Sequence, residues 1–277
     1  MSVTTTLDKQ MFEDIVDAML NAIQEEIDRT RAEKTAFDNF GSRVDEICDQ
    51  VSQSGAGVCS APLDSKDATI IQPQPQTTRS RPNITAEIRE AYESTVMSLS
   101  YFDEEYGETY SESIREEFGP EIATLLLTAE CLTPIAQDTL LTRINEASQQ
   151  REEFLQGCKR ERRSVENVTA DLKSIHHSLC SYDQIAINQQ DFGNLEAHRN
   201  YLRRLEDVCE EVTKERQVDI DRYRTEFEIS PNEGDLPQYL YADLAYDYPM
   251  LYLCSTVSTE LQEIRKQVED AMTETLE

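Results

Sequence analysis

The 277-residue chain has no tryptophan, only eight glycines and only three histidines. Few glycines, without strand-like alternation over long windows, indicate a mostly helical protein. The motifs GxGxxG, GxxxxGK[ST], HExxH and GxSxG are also missing, so the sequence contains none of these catalytic or nucleotide-binding signatures. We therefore expect a protein that is not an enzyme and that carries no cofactor.

Lysine is scarce as well, with seven residues, and 55 acidic against 26 basic residues give a net charge of −29. Such a charge repels itself unless salt screens it, and the Debye length falls to about 3 Å at about 1 M salt. This composition favours a halophilic protein, with an ordinary acidic coiled-coil protein as the alternative.

The charge argues against binding nucleic acid or anionic lipid. We expect the basic run KRERR (159–163) to pair with the chain's own acidic helices.

Targeting and redox signals are also sparse. The N-terminus lacks the basic and apolar regions of a signal peptide, and apolar runs such as 250–254 are too short to span a bilayer. We expect a cytoplasmic protein with no membrane partner. The seven cysteines have no CxxC spacing and are odd in number. In a cytosolic protein they are most simply free, partly buried thiols.

The strongest positive feature is an apolar heptad seam, which we define by twelve positions that step alternately by three and four residues. They are Ile144, Ala147, Arg151, Phe154, Cys158, Glu161, Val165, Val168, Leu172, Ile175, Leu179 and Tyr182. All but Arg151 and Glu161 are apolar or weakly polar. This spacing keeps one stripe of a helix against a partner helix, within the chain or in another copy. It predicts an all-α fold: an elongated antiparallel helical bundle or coiled coil with a small helical module.

Local composition divides the chain into five segments. They are an N-terminal amphipathic helix (1–51), a flexible linker (52–82), a compact helical module (83–137), long coiled-coil helices (138–229), and an aromatic-rich connector with the C-terminal helix (230–277). In the first segment, Glu26, Thr30 and Glu33 interrupt the apolar face of the helix.

The module carries a resemblance. Residues 91–134 read AYESTVMSLSYFDEEYGETYSESIREEFGPEIATLLLTAECLTP. This stretch resembles the TVM…YDEEYG…EFGPE…LTP core of an uncharacterised haloarchaeal helical protein family. AFDNFGSRVDEI (36–47) resembles that family's N-terminal AF..F..RV..I helix, and the resemblance covers about residues 10–185. The family is a domain of unknown function, so the resemblance implies halophily and helical architecture but no chemistry.

Two clusters are candidate sites. In what we call the His/Cys turn, His176, His177 and Cys180 lie three and four residues apart and could begin a zinc or copper site on a helix. His198 or Cys209 could complete the site if the next helix is antiparallel. The alternative is that these residues only flank the seam. Because the turn has no evident second half, we assign no metal ligand.

The other candidate is the aromatic turn, which we define as Tyr101, Phe102 and Tyr106. It lies in the acidic run FDEEYGE (102–108), which fails the EF-hand spacing. Aromatic residues in loops often mark contact sites, so we assign these three residues to partner binding. The alternative is that they pack against the module.

Taken together, these patterns favour a non-enzymatic cytosolic helical scaffold or adaptor that binds a protein partner or a second copy of itself. A regulatory module that senses a ligand or partner is the alternative. A metal-dependent enzyme is a second and less favoured alternative.

Overall fold

The computed structural model describes residues 9–54, 83–182, 187–226 and 234–275, and these ranges contain eight α-helices and no strand. The helices are α1 (Lys9–Ser54), α2 (Ile84–Thr95), α3 (Phe102–Glu105), α4 (Tyr110–Thr128), α5 (Pro134–Tyr182), α6 (Phe192–Glu226), α7 (Leu236–Leu240) and α8 (Pro249–Glu274). A 3₁₀ turn, Ile187–Gln189, precedes α6. The all-α prediction is confirmed. The predicted linker lies outside the described residues from position 55 onward.

Side-chain caps and a glycine set the ends and the bend of the short helices. The Asn83 side chain accepts the main-chain N–H of Ala86 and starts α2. Thr109 and Glu112 form a capping box that starts α4, and this satisfies N–H groups that the first helical turn leaves without partners. Gly119 has a φ of 83°, and the next residue is Pro120, so α4 is kinked at this point.

The contacts divide the chain into two compact units. Unit 1 comprises Met1–Asp28 with Phe154–Glu277, and unit 2 comprises Arg29–Glu153. The long helices α1 and α5 are each divided between the two units, with one part of the helix in each unit. The predicted module, 83–137, lies wholly within unit 2, where it shares a core with the later part of α1 and the first part of α5.

Unit 1 has a core built from the first part of α1, the last part of α5, and helices α6, α7 and α8. Along each pair of facing helices, residue numbers rise on one helix while those of their contact partners fall on the other. These neighbouring helices are therefore antiparallel. Such pairs are Arg160–Glu226 and Tyr182–His198 for α5 and α6, and Glu206–Arg265 and Cys209–Cys254 for α6 and α8.

Unit 2 has an aromatic core. The ring of Phe118 stacks on that of Phe40 and meets the edges of Phe37 and Tyr92. Gly41 lets α1 approach α5 closely, because a Cβ at this position would lie 3.2 Å from the Cγ2 atom of Ile144. The packing is therefore tight where the two long helices cross in this unit.

Every position of the heptad seam is buried or partly buried within the single chain. Ile144 and Ala147 belong to the core of unit 2, whereas the apolar positions from Cys158 to Tyr182 belong to the core of unit 1. The partner of the seam is therefore this chain itself, a point that the sequence left open.

The cysteines follow the expectation of free thiols only in part. Cys158, Cys209 and Cys254 are free and buried, and Cys48 is buried as well, but Cys131 is disulfide-bonded. The expectation is therefore wrong for Cys131, because sequence spacing does not reveal which distant cysteines a fold brings together.

Candidate functional site

The aromatic turn is anchored to the middle of α1. Phe102 is buried, and the Tyr101 hydroxyl donates a hydrogen bond to the main-chain oxygen of Arg29 at 3.0 Å. The guanidinium of Arg29 lies 5.6 Å from the centre of the Tyr101 ring and pairs with Glu105 at 2.7 Å. Tyr101 and Phe102, two of the three residues assigned to partner binding, are therefore held by contacts within unit 2, and the third, Tyr106, is described next.

Tyr106 is the member of the aromatic turn that presents substantial surface, with 42% of the residue exposed. Its ring packs against Phe102 at 5.4 Å, and its hydroxyl donates to the Glu33 carboxylate at 2.9 Å. Burial of the hydroxyl end and the charge of Glu33 raise the pKa of Tyr106, so the phenol stays protonated and remains a donor.

The same Glu33 carboxylate belongs to what we call the Arg151 cluster: Arg151, Glu33, Glu117 and Phe37. The Arg151 guanidinium donates two hydrogen bonds to Glu117, at 2.5 and 3.0 Å, and one to Glu33, at 3.4 Å. It also lies 4.3 Å from the centre of the Phe37 ring. Burial alone would lower the pKa of Arg151, but the two carboxylates raise it. Arg151, a polar residue of the seam, thus pairs with Glu33, a polar interruption of the apolar face of α1.

Unit 1 contains a corresponding Glu161 cluster, which we define as Glu161, Arg216, Tyr241 and Ser164. Glu161 and Arg216 are fully buried and form a bidentate ion pair, with N–O distances of 2.6 and 2.7 Å. The Tyr241 hydroxyl donates to the same carboxylate at 2.5 Å. Burial and the Glu161 charge hold the pKa of Tyr241 well above its usual value. The Tyr241 phenol therefore stays protonated.

Hydrogen bonds from neighbouring helices complete this cluster. Arg216 also donates to the hydroxyl of Ser164 at 3.1 Å, and Ser164 in turn donates to Asp219 at 2.7 Å. Among the described atoms, the Arg216 Nε is buried without a hydrogen-bond partner. The opposite charges of Glu161 and Arg216 compensate each other inside the cluster, as buried ion pairs require.

The His/Cys turn is split between two environments. The His176 ring is buried and stacks on Phe12 at 5.8 Å, whereas His177 is exposed. The side chain of Cys180 lies outside the described residues. Of the proposed completing ligands, His198 shares a hydrogen bond with the Tyr182 hydroxyl, and the Cys209 sulfur contacts the main chain of Cys254.

Across the described ranges, no group of three or more His, Cys, Asp or Glu residues is placed to hold a metal ion. None of the helices there combines the length and the apolar character that crossing a membrane requires.

Within the basic run at 159–163, the expected pairing with an acidic residue of another helix is seen at Arg160. Arg160 bonds to Glu226 of α6 at 2.6 Å. Arg162 bonds to Gln24 of α1 and to Glu166 of its own helix.

These observations define a class: an all-α protein of two compact units, each with a charged cluster joining its helices. The chain belongs to the family described as "Domain of unknown function (DUF7260)", whose model matches residues 14–265. The comparisons with curated proteins and with solved structures found no match.

Proposed function

We propose that this chain is a non-enzymatic helical scaffold or adaptor of a haloarchaeal cytoplasm, acting by association with a protein partner or a second copy of itself. The observation that carries the proposal is that both charged residues of the seam have internal partners: Arg151 pairs with Glu117, and Glu161 pairs with Arg216. Groups that could otherwise do acid–base or binding chemistry are used to join helices.

Halophily is supported by the net charge of −29, the seven lysines and the resemblance of residues 91–134. Because the seam is covered within the chain, association would use the outer surface. Tyr106 is the best candidate contact there: it combines an apolar ring with a fixed hydroxyl, which is the character of residues enriched in protein interfaces.

The test of the contact compares Tyr106→Ala with Tyr201→Ala. Tyr201 is a matched control, because it is 44% exposed against 42% for Tyr106 and lies in the other unit. Each full-length variant is mixed with a high-salt extract of a halophilic archaeon, and bound proteins are identified by mass spectrometry. Light scattering in about 2 M KCl, where charge repulsion is screened, measures self-association in parallel.

The proposal requires Tyr106→Ala to lose a partner or the self-associated species while its circular dichroism stays unchanged. Tyr201→Ala should keep both. If the wild-type chain is monomeric and captures no protein, or if both variants lose binding alike, the proposed contact is wrong. A metal present in equimolar amount in untagged protein would favour the metal-enzyme alternative.

The cytoplasmic part of the proposal is tested at Cys131. A disulfide is uncommon in a reducing cytoplasm, and Cys131 is disulfide-bonded. Intact cells are treated with a membrane-permeable alkylating reagent before lysis, and Cys131 is then examined by peptide mapping. An alkylated Cys131 supports a reducing compartment, whereas a protected one contradicts it.

A further inference from the structure

Two free cysteines face each other across α6 and α8 in the core of unit 1. Cys209 and Cys254 are both buried and both reduced. The Cys209 thiol donates a weak hydrogen bond to the main-chain oxygen of Cys254, with 3.7 Å between sulfur and oxygen. The hydroxyl of Thr213, one turn along α6, donates to the main-chain oxygen of Cys209 at 2.7 Å. The Cys209 sulfur therefore lies against the main chain of Cys254.

The surroundings keep these thiols protonated while the core is closed. Burial, together with the neighbouring Cys254, raises the pKa of Cys209 to about 11. Burial also raises the pKa of Cys254, although Thr213 and the Arg216 guanidinium partly oppose this effect. A thiolate is the reactive form of cysteine, so the closed protein resists oxidation. Any reaction must begin when α8 moves away from α6.

We propose that Cys209 and Cys254 form a latent redox pair, which closes a disulfide between α6 and α8 when unit 1 opens in the presence of a low-molecular-weight disulfide. The cross-link joins two helices that are otherwise held by side-chain packing and by ion pairs such as Arg265–Glu206. It converts a transient opening of α8 into a covalent change that persists after the core closes.

The chemistry is a two-step thiol–disulfide exchange. The Cys254 thiol loses its proton to solvent, and its sulfur attacks the small disulfide, forming a mixed disulfide and releasing one small thiolate. The deprotonated Cys209 sulfur then attacks the Cys254 sulfur, which forms the protein disulfide and releases the second small thiolate. The two cysteines lose two protons and two electrons in total, and the small disulfide is reduced to two thiols.

The experiment exposes the full-length protein, as purified, to oxidised glutathione in high salt. One sample stays in native buffer and another is held at the urea midpoint of unfolding before urea is removed. Remaining thiols are blocked with maleimide, and disulfide-linked peptides are mapped by mass spectrometry. Cys209→Ser and Cys254→Ser are treated alike. Cys158 is an internal control, since it is free and buried in the same core.

We expect a Cys209–Cys254 peptide to account for most of the Cys209 signal in the urea-exposed sample and for little in the native one. Cys158 should carry maleimide or glutathione. The cross-linked protein should melt roughly 5 °C higher than the unlinked protein, and dithiothreitol should abolish the difference. Each serine variant should carry glutathione on its remaining cysteine of the pair.

The inference is overturned if both cysteines of the opened wild-type protein carry maleimide or glutathione and remain unlinked. It is also overturned if Cys209 pairs preferentially with Cys158. Because these outcomes are read from wild-type protein, a serine variant that fails to fold does not affect the conclusion.

Discussion

Removing Arg216 should strongly destabilise unit 1, because it would leave the Glu161 carboxylate buried without a counter-ion. Both residues are essentially inaccessible to solvent, at 1% and 0% side-chain exposure. Breaking such a pair from one side costs about 3–5 kcal/mol, mainly because a desolvated charge remains. Arg216→Met keeps an unbranched side chain of helical propensity, so the loss of charge dominates the expected change in the free energy of unfolding.

Removing the partner as well should restore much of that loss. In the double variant Glu161→Met with Arg216→Met no charge of the pair is left, but the Tyr241 hydroxyl loses its acceptor, which costs about 1–3 kcal/mol. Adding Tyr241→Phe removes that hydroxyl too. We therefore expect the single variant to be least stable, the double variant to be intermediate, and the triple variant to be closest to wild type.

The assay must report on unit 1 and cannot use tryptophan fluorescence, since the chain has no tryptophan. Urea unfolding in high salt, followed by far-UV circular dichroism, gives the overall transition. Hydrogen exchange of peptides from α5 and α6 gives the local free energy of opening. If Arg216→Met costs less than about 1 kcal/mol, or if the double variant is less stable than the single one, the reasoning about an uncompensated buried charge fails.

Three further predictions follow from the charge, the seam and the capping box. Helix content and melting temperature should both fall when about 2 M KCl is replaced by dilute buffer, because screening is lost; equal values at both salts would contradict halophily. Leu172→Asp should cost several kcal/mol by burying a charge, whereas exposed Ser174→Asp should change the unfolding free energy little, and two equal melting curves would refute burial of the seam. The Thr109 hydroxyl and N–H lower the pKa of Glu112, so its capping contribution is present at neutral pH and is lost as the pH falls through that lowered pKa. The protection factor for hydrogen exchange at the start of α4, which is the intrinsic exchange rate divided by the observed one, should therefore fall on acidification in wild type but not in Glu112→Ala; the same acid response in both would contradict the cap.

The seam was predictable from sequence because burial on a helix repeats with a short local period. The partners of its polar exceptions were not. Arg151 lies 118 residues from Glu33, and Glu161 lies 55 residues from Arg216. A heptad pattern gives the buried stripe of one helix but not its neighbour. The burial of Arg216 could have been predicted, since it lies four residues from both Val212 and Ile220 and so shares their buried helix face.

The aromatic turn shows the same limit. Its composition resembles that of an exposed loop, and the burial of Phe102 becomes visible only once α3 packs against α1. In contrast, Glu26 and Thr30 on α1 and Arg151 on α5 lie close to the division between the units, whereas Glu161 lies inside unit 1. That division falls between Asp28 and Arg29 on α1, and between Glu153 and Phe154 on α5.

The Glu161–Arg216 pair also limits how α5 can slide along α6. Long heptad helices can offer several nearly equivalent alignments, seven residues apart, because each shift places apolar residues on apolar residues. Here a shift of one heptad would bring Glu161 opposite Cys209 or Tyr223 and would leave Arg216 among apolar neighbours. The two charges meet in one alignment of α5 with α6. The ion pair therefore selects the native register over alignments that are shifted by one heptad.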